Sequence, residues 1–513
     1  MSRRGGGRQA RVAARMASHM EVNPCPPGQR GGAFRPLDEA GIRAIYATAL
    51  RILDEIGIGE VPPVVVDRAL AHGARQDRHG RLCFPPALVE DIIAGAAKSV
   101  LLPGRDPRHD LEVGGERVFF GTGGAAVQTL DLETGRYRGS TLADLYDFTR
   151  LVDTLTNVSW FTRCCVATDV DDVFDLDVNT AYALCAGTTK PVGTSFTLAA
   201  HVAPIVEVFD LVLGGEGRFR ERPFCKAHIS PVISPLRFGD DAVAVTLECI
   251  RHGIPINAII AAQSGATAPA TLAGMLAQTT AETLAALLLV NLFQPGYPMI
   301  FSNWPLVIDL RSGAFAGGGG EISLMNAASG QIGNWLGLPS GAACSMSDAK
   351  APDAQMGMEK ALAALAVGLA GTNMVYESSG MMASLLGASF EAFVLDDEML
   401  SHVQRTIRGI EVSEELLGFE AIRDVVRGEG HFLGSPHTIE AMQRDYYYPE
   451  LADRGDPRSW NAAGGPEVRS RACDKARAIL ASHYPAYIDE ATDRRIRERF
   501  NILLPRDRMR PRA

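Results

Sequence analysis

The feature that most constrains this chain is an alternation. Between about residues 117 and 408, short apolar runs and longer helix-patterned segments follow one another eight times. The runs lie at 117–122, 159–167, 191–196, 224–230, 255–263, 298–304, 340–345 and 373–379. Each is short and nearly continuous in its apolar content, as a strand buried on both faces must be. The segments at 142–155, 174–186, 200–213, 240–251, 272–293, 321–336, 353–369 and 390–408 are long enough to cross back over a sheet. Repeated strand–helix units build a parallel sheet with helices outside it. An open doubly wound sheet gives the same alternation. Eight regular units with no GxGxxG at the first turn favour closure, so the expected fold class is α/β, a TIM (β/α)8 barrel over 116–410.

The flanks read differently. Residues 1–35 carry Arg3, Arg4, Arg8, Arg11, Arg15 and Arg30 against one acid, Glu21. They are expected to form a disordered basic tail; a transit peptide is the other reading of such a start. Residues 36–115 read as a helical N-terminal subdomain, with helices at 38–56, after Val61, and at 85–98, where prolines sit in the first turn. After 410 the alternation breaks, and 411–513 read as a C-terminal extension of helices and loops packed on the barrel, including a helix at 413–427. The hairpin-like insert LDLETGRYRGS follows the first run and turns at Gly135. A net charge of −10 gives no support for broad nucleic-acid binding, which needs a basic face. The apolar stretch 284–293 is too short to span a bilayer, so no membrane association is expected. Nine scattered cysteines with no CxxC pair suit a reducing compartment, and a cytoplasmic homo-oligomer is the expectation.

In such a barrel the reacting groups come from the carboxyl ends of the strands and the loops after them. Those positions hold Gly121, Gly123 and Gly124; Arg163 and Cys164; Lys226 and His228; Gln263; Asn303 and Trp304; Cys344, Ser347 and Asp348; Tyr376 and Glu377. Lys226 and His228 alternate along one run and so face the same way. A lysine inside a barrel is costly unless paired, and Glu377 is its expected partner. A Lys–Glu pair with no part in the chemistry is an equal alternative. Trp304 offers a rigid, electron-rich face to a quaternary ammonium, or simply lids the core. Thr162, Ser195 and Ser302 read as satisfying backbone groups at the rim. The run GGGGE at 317–321, which contains Gly318 and Gly319, precedes a helix and can cradle an anion or merely flex. Asp353 reads as a helix cap. His228 and Cys344 lack the further ligand a zinc site needs, so no metal is expected. No GxSxG elbow follows a strand.

With those residues in view, the chain resembles the trimethylamine methyltransferase superfamily from about residue 40 to 490. The likeness rests on FGTGGAAVQTLDLETGRYRGST (120–141), GLPSGAACSMSDAKAPDAQMGMEKA (337–361), LDDEM (395–399), and GHFLGSPHT (430–438) followed by Tyr446–Pro449. The resemblance implies a TIM barrel that presents a methylated amine to a partner corrinoid protein, whose cobalamin cobalt(I) takes the methyl group. Within that reading, strand-end positions assign His228 and Glu377 to catalysis. Trp304, Tyr376, Lys226, Arg163, Gln263 and Asn303 fall around the substrate. Gly121, Gly123, Gly124, Gly318, Gly319, Ser347 and Asp348 fall toward the cobalamin. Trimethylamine members carry pyrrolysine, whereas this chain is written in the twenty standard residues. A quaternary ammonium already bears its charge and leaves as a neutral amine, so a betaine is the expected substrate, with trimethylamine the alternative. The rival readings are a non-catalytic betaine-binding protein and a lyase using Lys226 as a Schiff base.

Overall fold

The computed structural model describes residues 23–511. Eight parallel strands form its centre: β1 (Arg117–Phe120), β2 (Phe161–Thr162), β3 (Val192–Thr194), β4 (Cys225–Ile229), β5 (Ile256–Gln263), β6 (Met299–Leu306), β7 (Ser340–Ala343) and β8 (Met374–Tyr376). Their order across the sheet is β1-β8-β7-β6-β5-β4-β3-β2. The two ends of that order then approach each other. Phe120 of β1 bridges Val158, just ahead of β2, in parallel, and Ser159 N donates to Phe120 O at 2.8 Å. A ninth strand, Gln29–Arg30, pairs antiparallel with β1. The fold is therefore mixed α/β, built on a curled, mostly parallel nine-stranded sheet.

One helix follows each strand: α1 (Leu142–Asp153), α2 (Val173–Gly187), α3 (Val202–Val212), α4 (Asp240–His252), α5 (Leu272–Phe293), α6 (Gly320–Trp335), α7 (Ala354–Ala370) and α8 (Phe390–Arg408). Their starts are chemically marked. Thr141 and Asp144 form a reciprocal capping box ahead of α1, and Asp353 accepts from the amides of Gln355 and Met356 to open α7. Helix α5 is apolar on all sides. It is long and apolar enough to cross a bilayer, longer than the stretch 284–293 suggested, yet 83% of that window is buried in the protein. The helices Glu39–Arg51 and Pro86–Gly95 cover its outer face, which explains the absence of a polar stripe. Its one buried acid, Glu282, is satisfied by Ser234 Oγ at 2.6 Å, Leu236 N at 2.8 Å and Gln278 Nε2 at 3.1 Å.

Several local expectations need correction. Of the presumed tail, residues 1–22 lie outside the described residues; residues 23–35 are structured through the Gln29–Arg30 pairing. The N-terminal region is not purely helical, since Ser99–Leu102 and Leu111–Gly114 form an antiparallel pair. The helix expected at 38–56 ends at Arg51 and runs into a wider turn, Ile52–Ile56. Strand β2 is shorter than its apolar run, because the chain beyond it leaves the sheet and Cys165 bridges Ala126, just ahead of the insert. That insert, Gln128–Leu130 with Tyr137–Gly139, joins Gly387–Ser389 and Met381–Met382 in a four-stranded sheet beside the strand ends. In the C-terminal region the helix begins at Phe419, not 413.

The backbone just beyond β7 and β8 is left-handed at Ser345 (φ 69°) and Glu377 (φ 64°), conformations that L-residues adopt at a cost. A buried ion pair holds it. Lys360 of α7 lies 3.0 Å from Asp396 of α8 and donates to Ser345 O at 2.8 Å, while Asp396 accepts from Gly380 N at 2.7 Å. Removing one member strands the other's charge, a loss of about 3–5 kcal/mol. Lys360→Ala is therefore expected to lower unfolding free energy in urea by that order. The double change Lys360→Met with Asp396→Leu is expected to recover most of it; no recovery would show that the pair's hydrogen bonds, not its charge balance, matter.

Candidate active site

The sheet interior is built by period-two alternation. Lys226 and His228 of β4, Asn257 of β5, Ser302 and Trp304 of β6, and Tyr376 of β8 converge, and with them Trp160 and Thr162 from the β2 segment. Small residues on the neighbouring strands make the room. A Cβ on Gly193 would stand 2.6 Å from Thr162 Oγ1 and 2.8 Å from Lys226 Nζ, so only glycine lets the lysine reach across β3. Its ammonium donates to Thr162 Oγ1 at 2.8 Å and lies 5.5 Å and 5.3 Å from the ring centres of Trp160 and Tyr376. Burial pushes Lys226 down to about 7, the charged form being the one that loses water.

Above the lysine, His228, Trp304 and Tyr376 form a three-ring cluster with mutual centroid distances of 5.3–5.5 Å. Asn257 Nδ2 meets His228 Nδ1 at 3.0 Å, and Asn257 Oδ1 accepts from Ser302 Oγ at 2.5 Å. With its oxygen taken, Asn257 donates to the histidine, which assigns the proton of the neutral ring to Nε2. Burial first, then the charges of Lys226 and Arg163, hold His228 well below its ordinary range, so it is neutral. The buried Trp304 Nε1 has no hydrogen-bond partner among the described residues. Nor does the guanidinium of half-buried Arg163. The acid whose charge supports it, Asp177, spends its oxygens on Thr197 N, Thr197 Oγ1 and His201 Nδ1.

The expected Lys226–Glu377 pair does not form. The left-handed turn at Glu377 aims its carboxyl at the glycine loop, where a Cβ on Gly123 would meet Oε1 at 3.0 Å and one on Gly124 would meet Oε2 at 2.7 Å. Glu377 Oε2 is buried without a hydrogen-bond partner, and burial raises the carboxyl to about 8, with Lys360 pulling the other way. Gly121 is equally filled from within: a Cβ there would run into the Trp160 indole.

The second glycine loop also has an internal occupant. Gly317 N and Gly318 N donate to Asp348 at 2.8 Å and 3.1 Å, so the anion in that cradle is the protein's own carboxylate. Ser347 Oγ donates to Glu359 at 2.6 Å and Asp348 also accepts from Ser384 Oγ at 2.7 Å. Gly319 caps α6 with extended backbone. These residues brace loops and form no open cradle for a cofactor. Asn303 belongs to the opposite face of β6 from Trp304; its Nδ2 reaches Thr280 of α5 at 3.2 Å, so strand parity removes it from the substrate list. Cys344 likewise packs with Ala327 and Ala363 between sheet and helices, away from His228. Gln263 ends β5 half-buried, and its carbonyl anchors the turn to Ala268. Sequence reasoning passed over Trp160 and Asn257. Trp160 shares the parity of Thr162, and Asn257 pairs in register with His228, so period two across neighbouring strands is the signal that finds both.

The family model described as trimethylamine methyltransferase (MTTB) matches residues 4–501. The chain belongs to the trimethylamine methyltransferase family. Among curated relatives, it is 30% identical over 448 residues to the trimethylamine methyltransferase MttB of Desulfitobacterium hafniense strain DSM 10664 / DCB-2, covering 87% of this chain and 89% of that one. It is 28% identical over 472 residues to the glycine betaine methyltransferase of Desulfitobacterium hafniense strain Y51, covering 91% and 97%. Among solved structures, the Methanosarcina barkeri monomethylamine methyltransferase aligns over 88% of this chain and 94% of that one, at 14% identity and a TM-score of 0.45. As a family member the chain is an enzyme, a methyltransferase.

The Glu377 carboxyl supplies a pH test. Its folded value of about 8 stands above the ordinary 4.5, so between those values the folded state holds a proton that the unfolded state has lost. The stabilisation it contributes is complete below 4.5 and disappears as pH rises to about 8. Glu377→Gln cannot ionise. The melting temperature of the variant relative to the parent is expected to climb from pH 5 to pH 8; a constant difference would mean an ordinary carboxyl.

Proposed function

We propose that this methyltransferase demethylates a betaine, a quaternary ammonium that also carries a carboxylate, and passes the methyl group to the cobalt of a partner corrinoid protein. The observation that carries this reading is the excess of donors in the interior. Lys226, the Nε2 proton of His228, the Trp304 Nε1 without a hydrogen-bond partner and the Arg163 guanidinium outnumber the acids near them; Asp177, the acid beside Arg163, already accepts from Thr197 and His201. Glu377, the acid at the end of β8, is largely protonated at neutral pH because its carboxyl sits at about 8. A simple cation would meet Arg163 and the charged fraction of Lys226 there, with Glu377 neutral and supplying no opposing charge. A zwitterion brings the missing carboxylate and offers its ammonium to the outer faces of the His228–Trp304–Tyr376 cluster.

We read the curled sheet as a closed (β/α)8 barrel over 116–410, with 36–115 and 411–513 packed on it, and place the site at the carboxyl ends of its strands. Arg163 would receive the carboxylate and Trp304 and Tyr376 the ammonium. Cobalt(I) of the corrinoid supplies the nucleophile. The C–N bond breaks as the methyl carbon bonds to cobalt, and the nitrogen keeps the electron pair and leaves as a neutral tertiary amine. No proton transfer is needed, so His228 and Glu377 act by positioning. The glycine loops of the rim are filled by Trp160, Glu377 and Asp348, which fits a corrinoid brought to the mouth by another protein better than one lodged in this chain.

A panel assay checks the substrate. The purified chain, its corrinoid protein and a cobalt(I)-generating system are expected to change the corrinoid spectrum with glycine betaine, proline betaine or carnitine. Tetramethylammonium and trimethylamine are expected to leave it unchanged; turnover of these two alone would sink the betaine reading. Borohydride with carbonyl compounds is expected to leave Lys226 unmodified.

Arg163→Ala is expected to raise the KM for the betaine roughly 10- to 100-fold, the worth of a charge-assisted hydrogen bond, with a smaller change in kcat. An unchanged KM would remove Arg163 from the carboxylate.

A further inference from the structure

The chain between Gly409 and Asp445 leaves the body as an arm. Its root is clasped at the end of α8. Arg405 donates to Asp445 O at 2.6 Å and to Gly409 O at 3.0 Å, and Arg408 donates to Arg444 O at 2.5 Å. Beyond that clasp the arm carries two nine-residue helices, Phe419–Arg427 and Pro436–Arg444, and neither has a buried residue. Phe419, Ile422 and Val426 share one face of the first at helical spacing, with Phe419 67% and Val426 71% exposed. Phe432, Leu433 and Ile439 are exposed on the rest of the arm. Helices this short are marginal in water without a packed face.

The same chain has an apolar groove that the other described residues leave open. It lies between the outer faces of α7 and α8 and the segment 452–471, has a volume of about 1040 Å³, and takes none of its lining from residues 410–448. Met356, Leu365, Met399 and Val403 form its wall. Met358 and Leu362, on α7 beside it, are more than half exposed where the outer face of such a helix is normally polar. The arm therefore does not cover the groove of its own chain.

We propose that the arm at 410–444 seats in the α7–α8 groove of a second copy of this chain, each copy lending its arm to the other. Three observations select that occupant. The groove extends down α8 to Thr406, three residues from the arm's root at Gly409, so a two-fold axis beside the root brings each arm over the other groove. The root lies at the carboxyl end of α8, which runs back against the strands, and so at the far end of the sheet from the strand ends where a corrinoid partner would come. The area is also that of a stable assembly. The arm exposes nine large apolar side chains. At roughly 100 Å² each, two arms remove about 1,800 Å² from water before the grooves are counted, which meets the ~1,600 Å² of a specific interface and exceeds the largest patches of ordinary monomers.

Sedimentation velocity of the full chain at micromolar concentration tests this without any substrate. The parent is expected to sediment as a dimer. Phe419→Asp with Val426→Asp on the arm, and separately Leu362→Asp beside the groove, are each expected to give monomers that keep the parent's circular dichroism. Mixing Val426→Cys with Leu362→Cys proteins is expected to give a disulfide-linked heterodimer under mild oxidation. A monomeric parent, a dimer that survives the arm variants, Val426→Cys linking only to itself, or hydrogen-exchange protection of the arm that arises only with added corrinoid protein would each overturn the proposal.

Discussion

The interior is organised around one buried ammonium. A lysine at the position of Lys226 carries its charge into a sheet lined by aromatic rings, and an unpaired charge there is expensive. Three things hold it: the hydroxyl of Thr162 at 2.8 Å, the faces of Trp160 and Tyr376, and the absence of a side chain on Gly193. Thr162 and Trp160 belong to the β2 segment, Gly193 to β3 and Tyr376 to β8, so the lysine of β4 brings β2, β3 and β8 together. Its charge then propagates upward. It helps keep His228 neutral, and the neutral ring, oriented by Asn257 and Ser302, presents a donor instead of a second cation.

The second constraint lies at the rim. Left-handed turns at Ser345 and Glu377 are held by Lys360 and Asp396 from behind. These turns re-aim the chain at the ends of β7 and β8, and they give the sequence strings their meaning. In LDDEM, Asp396 pairs with Lys360, Asp397 accepts from Asn157 N at 2.8 Å, and Glu398 accepts from the amides of Glu450, Leu451 and Ala452. Each acid fixes a different neighbour: the strand-seven turn, the approach to β2, and the return of the C-terminal region. In the longer string, Ser347, Asp348, Glu359 and Lys360 serve the same loops. What looks like a functional signature at these positions is largely the bracing of a rim.

That distinction marks what the sequence made legible. Eight units could be read because burial on both faces leaves strands uniformly apolar and helices periodic. The convergence of Lys226, His228, Trp304 and Tyr376 followed from strand ends alone. The parity error at Asn303 was avoidable, since residues 302 and 304 share a face that 303 cannot. The pairing of Glu377 was not avoidable: a positive φ at a glutamate leaves no trace in composition, and it turns the carboxyl from the lysine to the glycine loop. The glycine run at 317–321 reads in sequence as either an anion cradle or simple flexibility; the structure shows a cradle, and its occupant, Asp348, comes from a different loop and is visible only in three dimensions.

Under the proposed function, the charge distribution favours one kind of methylated amine over another. Aromatic rings alone would accept any quaternary ammonium, and a cage for a bare cation gains from an ionised acid beside it. Here the nearby acid is raised to about 8 by its burial, and the donors around the rings are left over. A bare cation would have to overcome Lys226 and Arg163 with cation–π attraction worth about 2 kcal/mol when desolvated. A betaine reverses that balance, because its carboxylate turns the same two groups from repulsive to attractive while its ammonium keeps the rings. The leaving nitrogen is neutral once the methyl has gone, so the product loses its hold on the rings but not on the donors. On the proposed function, the interior would grip both substrate and product by the carboxylate and discriminate the charged reactant by its aromatic wall.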